Sequence, residues 1–73
     1  STGPDYLWII DYKTTIHGPE GKHKFLEDER AKYSPQMETY ARILKADTPS
    51  ALIHLGLYYP MLPKLVWWQP ALA

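Results

Sequence analysis

The sequence predicts an α/β unit in the order strand–helix–strand–strand, carried on a mixed sheet. Three observations carry this reading. Leu7-Trp8-Ile9-Ile10 is an unbroken apolar run that leads into Asp11-Tyr12-Lys13-Thr14. Such a run, rich in β-branched and aromatic residues, marks a strand covered on both faces. Ser34-Pro35 followed by Met37, Tyr40, Ala41 and Leu44 has the start signal and the i, i+3, i+4, i+7 spacing of an amphipathic helix. Ile53, Leu55, Leu57 and Tyr59 then alternate with Leu52, His54, Gly56 and Tyr58, which is the period of a strand.

Composition bounds the possibilities. With 73 residues the chain is read as one unit, spanning 1–73. It has no cysteine, so neither a disulfide nor a thiolate metal site supports so small a core. Lys+Arg and Asp+Glu both number 8, and this neutrality gives no global argument for nucleic-acid binding. A hydrophobic content of 45% fits a globular chain, and no apolar run reaches membrane-spanning length. The absence of cysteine and of a signal-like segment leads us to expect a cytoplasmic protein without membrane contact. The chain starts without Met and enters a strand almost at once, so a fragment of a larger protein is expected.

Taken in order, Ser1 to Pro4 read as a turn or chain end, and Asp5 to Lys13 as the first strand. Thr14 to Lys24 read as a loop broken by His17-Gly18-Pro19 and Gly21. Its Lys22, His23 and Lys24 form a small basic cluster, either a phosphate contact or a solvated loop. Phe25 to Tyr33 fit a short helix or an ordered loop, with Glu27-Asp28-Glu29 expected at the surface. The helix is expected over 35–46, with Glu38 and Arg42 as an i, i+4 pair and Asp47-Thr48-Pro49-Ser50 as its stop. Strands follow at 51–59 and 64–68, antiparallel to each other across the Pro60–Pro63 turn. The first two strands flank a helical crossover and should be parallel. His54 reads as a half-buried histidine paired to backbone ahead of a metal ligand. Trp67-Trp68 offer base stacking or, for at least one ring, packing at the sheet edge.

The chemistry gathers at the end of the first strand. Asp11 and Lys13 are two apart, so they share a face while Tyr12 points away. A carboxylate on a rigid strand suits a hard cation, and a neighbouring lysine suits a phosphate or its attacking water. The bland alternative is a strand-end ion pair of little energetic worth. Gln36 and Tyr40 lie one turn apart on one side of the helix, a neutral pair suited to holding a phosphate or water. Their bland alternative is a surface glutamine beside a core tyrosine.

Taken together these parts resemble the RecB-type branch of the PD-(D/E)XK nucleases, which share a restriction-endonuclease-like core. Asp11-Tyr12-Lys13-Thr14 resembles the acid-x-lysine strand motif of that family, and Gln36-Met37-Glu38-Thr39-Tyr40 its Gln-x-x-x-Tyr helix motif. Residues 53–60, Ile-His-Leu-Gly-Leu-Tyr-Tyr-Pro, are similar to the strand that follows in nuclease domains fused to UvrD- or AddA-like helicases. The resemblance implies a Mg²⁺- or Mn²⁺-dependent deoxyribonuclease, an exonuclease acting with a helicase domain in double-strand break repair. It assigns the metal to Asp11 and the backbone carbonyl of Tyr12. Lys13 would position the attacking water or stabilise developing charge, and Gln36 and Tyr40 would hold DNA or the geometry of the site. Beside these, the basic cluster of Lys22, His23 and Lys24 supplies the candidate DNA contacts. The family core is helix, three strands, helix, strand, and this chain starts at the third strand. The hairpin with a further metal-binding aspartate, and the helix that carries a histidine in many members, are not in this sequence.

The resemblance therefore covers half a site. An isolated piece of this kind is expected to be inactive, to bind Mg²⁺ poorly and to self-associate through the exposed edge of its first strand. Two other readings stand beside it. One is a non-catalytic DNA-binding or scaffolding remnant of the same fold. The other is an unrelated α/β interaction module in which Asp11 and Lys13 are simply a salt bridge.

Overall fold

The computed structural model describes residues 5–15 and 21–71. It contains strand β1 (Tyr6–Tyr12), helix α1 (Lys22–Asp47), strand β2 (Leu52–Tyr59) and strand β3 (Lys64–Trp68). The three strands form one mixed sheet in the order β1-β2-β3. β1 pairs parallel with β2, from Tyr6 opposite Leu52 to Tyr12 opposite Tyr58. β2 pairs antiparallel with β3, from Leu55 opposite Trp68 to Tyr59 opposite Lys64. The expected α/β order and both strand pairings are those seen. Among the described residues no helix is long and apolar enough to cross a membrane.

The alternation in β2 decides where the core lies. Ile53, Leu55, Leu57 and Tyr59 point to one side and are buried with Met37 and Ala41 of α1, Ala51, and Trp68 of β3. Leu7 and Ile9 of β1 and Phe25, Leu26, Tyr33 and Leu44 of α1 pack around them. Trp68 therefore does the packing expected of one of the paired tryptophans, while Trp67 stays exposed.

The helix differs most from expectation. It starts at Lys22, with Gly21 as N-cap, and runs through Ser34-Pro35 rather than starting there. Lys22, His23 and Lys24 are thus helical and not part of the loop expected over Thr14 to Lys24. Its His17-Gly18-Pro19 segment lies outside the described residues, as do Ser1 to Pro4. An interior proline removes one backbone hydrogen bond and crowds the preceding turn, at a cost of about 3 kcal/mol. Tertiary anchoring of the N-terminal half offsets it. Phe25 meets the Tyr59 ring edge-on at 5.8 Å, and Glu29 accepts a hydrogen bond from the Tyr59 hydroxyl at 3.0 Å.

Three further expectations are corrected. β1 is not covered on both faces: Tyr6, Trp8, Ile10 and Tyr12 are exposed, because among the described residues the only helix lies on the opposite side of the sheet. Tyr40 lies outside the buried stripe of α1. Glu38 and Arg42 do not pair. Glu38 instead accepts from the Trp68 indole N–H at 3.0 Å and the Ala71 backbone N–H at 2.8 Å, while Arg42 donates to the Thr39 hydroxyl. A carboxylate that gains two donors from the end of β3 has stronger partners than an exposed arginine one turn away.

Candidate functional site

Parallel pairing puts the C-terminal ends of β1 and β2 side by side, and α1 brings its first half to that end. The Lys13 backbone N–H donates to the Tyr58 carbonyl at 2.8 Å, carrying the pairing one residue past β1. The next residue, Tyr59, is fully buried and reaches across to Glu29 through its hydroxyl. Lys13 and α1 are thus tied to adjacent residues of β2, Tyr58 and Tyr59.

Asp11 and Lys13 share the core-side face of β1, as their spacing demands. Lys13 Nζ lies 2.9 Å from Asp11 Oδ2, and the side chains keep 17% and 39% of their exposure for Lys13 and Asp11 respectively. The ammonium also sits 3.6 Å from the centroid of the Tyr33 ring, within cation–π range. Burial pulls the Lys13 pKa down, but the hydrogen bond and charge of Asp11, together with Tyr33, more than offset this, and the net shift is upward. Lys13 therefore stays protonated at neutral pH.

Glu29 completes this polar cluster, and sequence reasoning missed it. As the third of three consecutive acids it looked like surface, yet it is only 8% exposed. Glu27 and Asp28 do stay outside and pair with His23 at 2.9 Å and Lys24 at 3.3 Å. The signal was present in the spacing. Phe25, Glu29, Tyr33, Met37 and Ala41 fall four residues apart without interruption, a stripe that continues across Pro35. Counting Glu29 as a core position reveals one long helix. Burial and the Glu29 bond hold the Tyr59 phenol well above its ordinary pKa, with smaller contributions from Tyr33 and Asp11.

Gln36 and Tyr40 do interact: the Gln36 amide donates to the Tyr40 hydroxyl at 2.7 Å on the outside of α1. Because α1 starts earlier than expected, Gln36 is not in its first turn. It lies ~4.5 Å along the axis from Tyr33, at 1.5 Å per residue. Among the described residues no hydrogen bond or ion pair links Gln36 or Tyr40 to Asp11 or Lys13. Lys22, His23 and Lys24 occupy the first turn of α1, two of them engaged in the exposed pairs above. His54 is not paired to backbone. Its ring stacks on Trp8 at 4.7 Å, its Nδ1 is buried without a partner, and its Nε2 lies 3.5 Å from the Gln69 amide.

The donor set for a cation is small. Asp11 offers a half-exposed carboxylate, and among the described residues no three acidic, histidine or cysteine side chains converge on one point. A single carboxylate is within the range by which Mg²⁺ is held when waters and phosphate oxygens supply the rest. No family model matches the chain, and neither a curated protein nor a solved structure matches it.

Proposed function

We propose that this chain is part of a metal-dependent DNA nuclease, carrying the acid–lysine strand of the catalytic centre and the helix that packs against it. The supporting observation is the placement of Lys13, its ammonium 2.9 Å from Asp11 at the C-terminal end of a parallel strand pair. Ligand chemistry in open α/β sheets concentrates outside such ends. A cation held there by a carboxylate and a ring suits charge stabilisation on a phosphate in the transition state. Mg²⁺ or Mn²⁺, bound by Asp11 and the Tyr12 carbonyl, would act as Lewis acid on the phosphodiester. The further aspartate that the resemblance implies would complete the ligand set. Gln36 and Tyr40 would contact DNA further along α1, and Lys22, His23 and Lys24 would add phosphate contacts. In this reading the activity is that of an exonuclease joined to a helicase that processes DNA breaks in the cytoplasm.

A non-catalytic DNA-binding remnant is favoured by one observation, the lack of three converging ligands among the described residues. Cleavage separates the two. In the full-length protein that carries this chain, Mg²⁺-dependent cleavage of linear DNA should be lost in Asp11→Ala. In Lys13→Ala it should fall on the order of 10²–10³-fold, the scale for loss of one transition-state donor. DNA binding should stay largely intact, since it is spread over many phosphate contacts. Unchanged cleavage in Lys13→Ala removes the lysine from the mechanism. Binding without cleavage in the wild type establishes the remnant.

A further inference from the structure

We propose that Tyr33 is the positioning residue for Lys13: its ring face holds the ammonium beside Asp11 and sets which way it points. The inference rests on the nuclease reading for its functional consequence, but not for its geometry. Lysine carries four rotatable bonds and a strongly hydrated head, so a lysine at a strand end ordinarily samples many rotamers. Here the head is confined from two sides, by Asp11 Oδ2 at 2.9 Å and by the Tyr33 centroid at 3.6 Å.

The ring packs against the core on a helix that is itself anchored. Tyr33 follows Glu29 by one helical turn, and Glu29 is pinned to Tyr59 of β2 at 3.0 Å. Lys13 is pinned through its backbone to Tyr58 at 2.8 Å. Both halves of the contact are thus referenced to one point on the central strand, and the lysine inherits the rigidity of the core. The groups facing Lys13 are Asp11 on its own strand and Tyr33 on α1. The Lys32 ammonium lies on the same ring at 5.1 Å, and the Tyr59–Glu29 pair stands behind. A ring supplies what a second carboxylate does not: it attracts the cation without neutralising it, so the charge stays available to a phosphate.

The experiment compares wild type, Tyr33→Phe and Tyr33→Leu, with Tyr33→Met as companion should the leucine variant not fold. The first readout is the NMR signal of the Lys13 side-chain methylene next to Nζ, which a ring face shifts upfield. The shift should be present in wild type and Tyr33→Phe and absent in Tyr33→Leu and Tyr33→Met. An unchanged signal in the aliphatic variants, or loss of the shift in Tyr33→Phe, overturns the proposal. The second readout is Mg²⁺-dependent DNA cleavage by the full-length protein. Tyr33→Leu should lower kcat at least tenfold with KM for DNA within about twofold, and Tyr33→Phe should restore it. A raised KM with kcat intact also overturns the proposal. If the wild-type protein does not cleave DNA, the nuclease reading fails, and the methylene shift alone decides whether Tyr33 positions Lys13.

Discussion

Glu29 and Tyr59 are hydrogen-bonded at 3.0 Å inside the core, although 30 positions separate them in the chain. The bond fastens the first half of α1 to the central strand, and it makes stability depend on alkali. The Tyr59 phenol is held well above its ordinary value of 10.0 in the folded chain, first by burial and then by Glu29. Above pH 10 the unfolded chain gives up this proton and the folded chain retains it, so the folded state binds more protons. Stability from Tyr59 is therefore fully present below about pH 10 and is lost as pH rises toward the elevated folded value. Urea unfolding between pH 8 and 11 should show this fall. Tyr59→Phe should flatten it, and should cost about 1–3 kcal/mol at neutral pH by leaving Glu29 without its donor. A wild-type curve parallel to that of Tyr59→Phe would refute the assignment.

Pro35 sits inside α1, where it cannot donate to the carbonyl four residues before it. Pro35→Ala should restore that bond and leave the Thr39 hydroxyl bonded to the carbonyl of residue 35. We expect a stabilisation of about 1–3 kcal/mol, discounted from the full helix-interior penalty because the chain has already adapted to the ring. Thermal unfolding gives the sign, and an unchanged or lower Tm would show that the proline is accommodated without cost.

Gly56 is buried in β2. An added Cβ would meet Leu65 Cδ1 at 3.1 Å, with Ile10 and Val66 beyond 3.5 Å. The close neighbour is the end of a half-exposed side chain, which can shift by a few tenths of an ångström. Gly56→Ala should therefore raise stability by about 0.5 kcal/mol, since glycine in a strand interior is entropically costly. Gly56→Val, with two further methyls against Leu65 and Ile10, should lower it. Denaturant midpoints for the pair give the comparison, and a loss in both would mean that Leu65 cannot move.

β1 is an edge strand, with Ile10 exposed at 40% and Trp8 at 45%. Such an edge is a template for another chain. We expect concentration-dependent self-association of the chain in sedimentation, reduced by Ile10→Lys, which places a charge on the strand. A stable monomer at high concentration would contradict this.

Strand positions and both pairings were legible because each strand declares itself locally: alternation in Ile53 to Tyr59, and an apolar run in Leu7 to Ile10. The Asp11–Lys13 contact was legible for the same reason, being set by a spacing of two on one strand. The start of the helix was not. Ser34-Pro35 carries a strong local signal, and what overrides it is contact with Tyr59, a residue much later in the sequence. Glu29 and Tyr33 escaped notice on the same ground, since their meaning comes from partners on β2 and β1.

The parallel pairing of β1 with β2 has a kinetic consequence. Tyr6 finds Leu52 only after most of the chain has been looped back, whereas β2 and β3 are joined by a short turn. Closing a long loop is entropically expensive and is repaid only once the contacts beyond it form. The β2–β3 hairpin is therefore available early, and β1 docks last of the three strands. Asp11 and Lys13 ride on that last strand. The acid–lysine pair meets Tyr33 only when this long-range pairing has closed, so a chain with β1 undocked presents no assembled charge cluster to a polyanion.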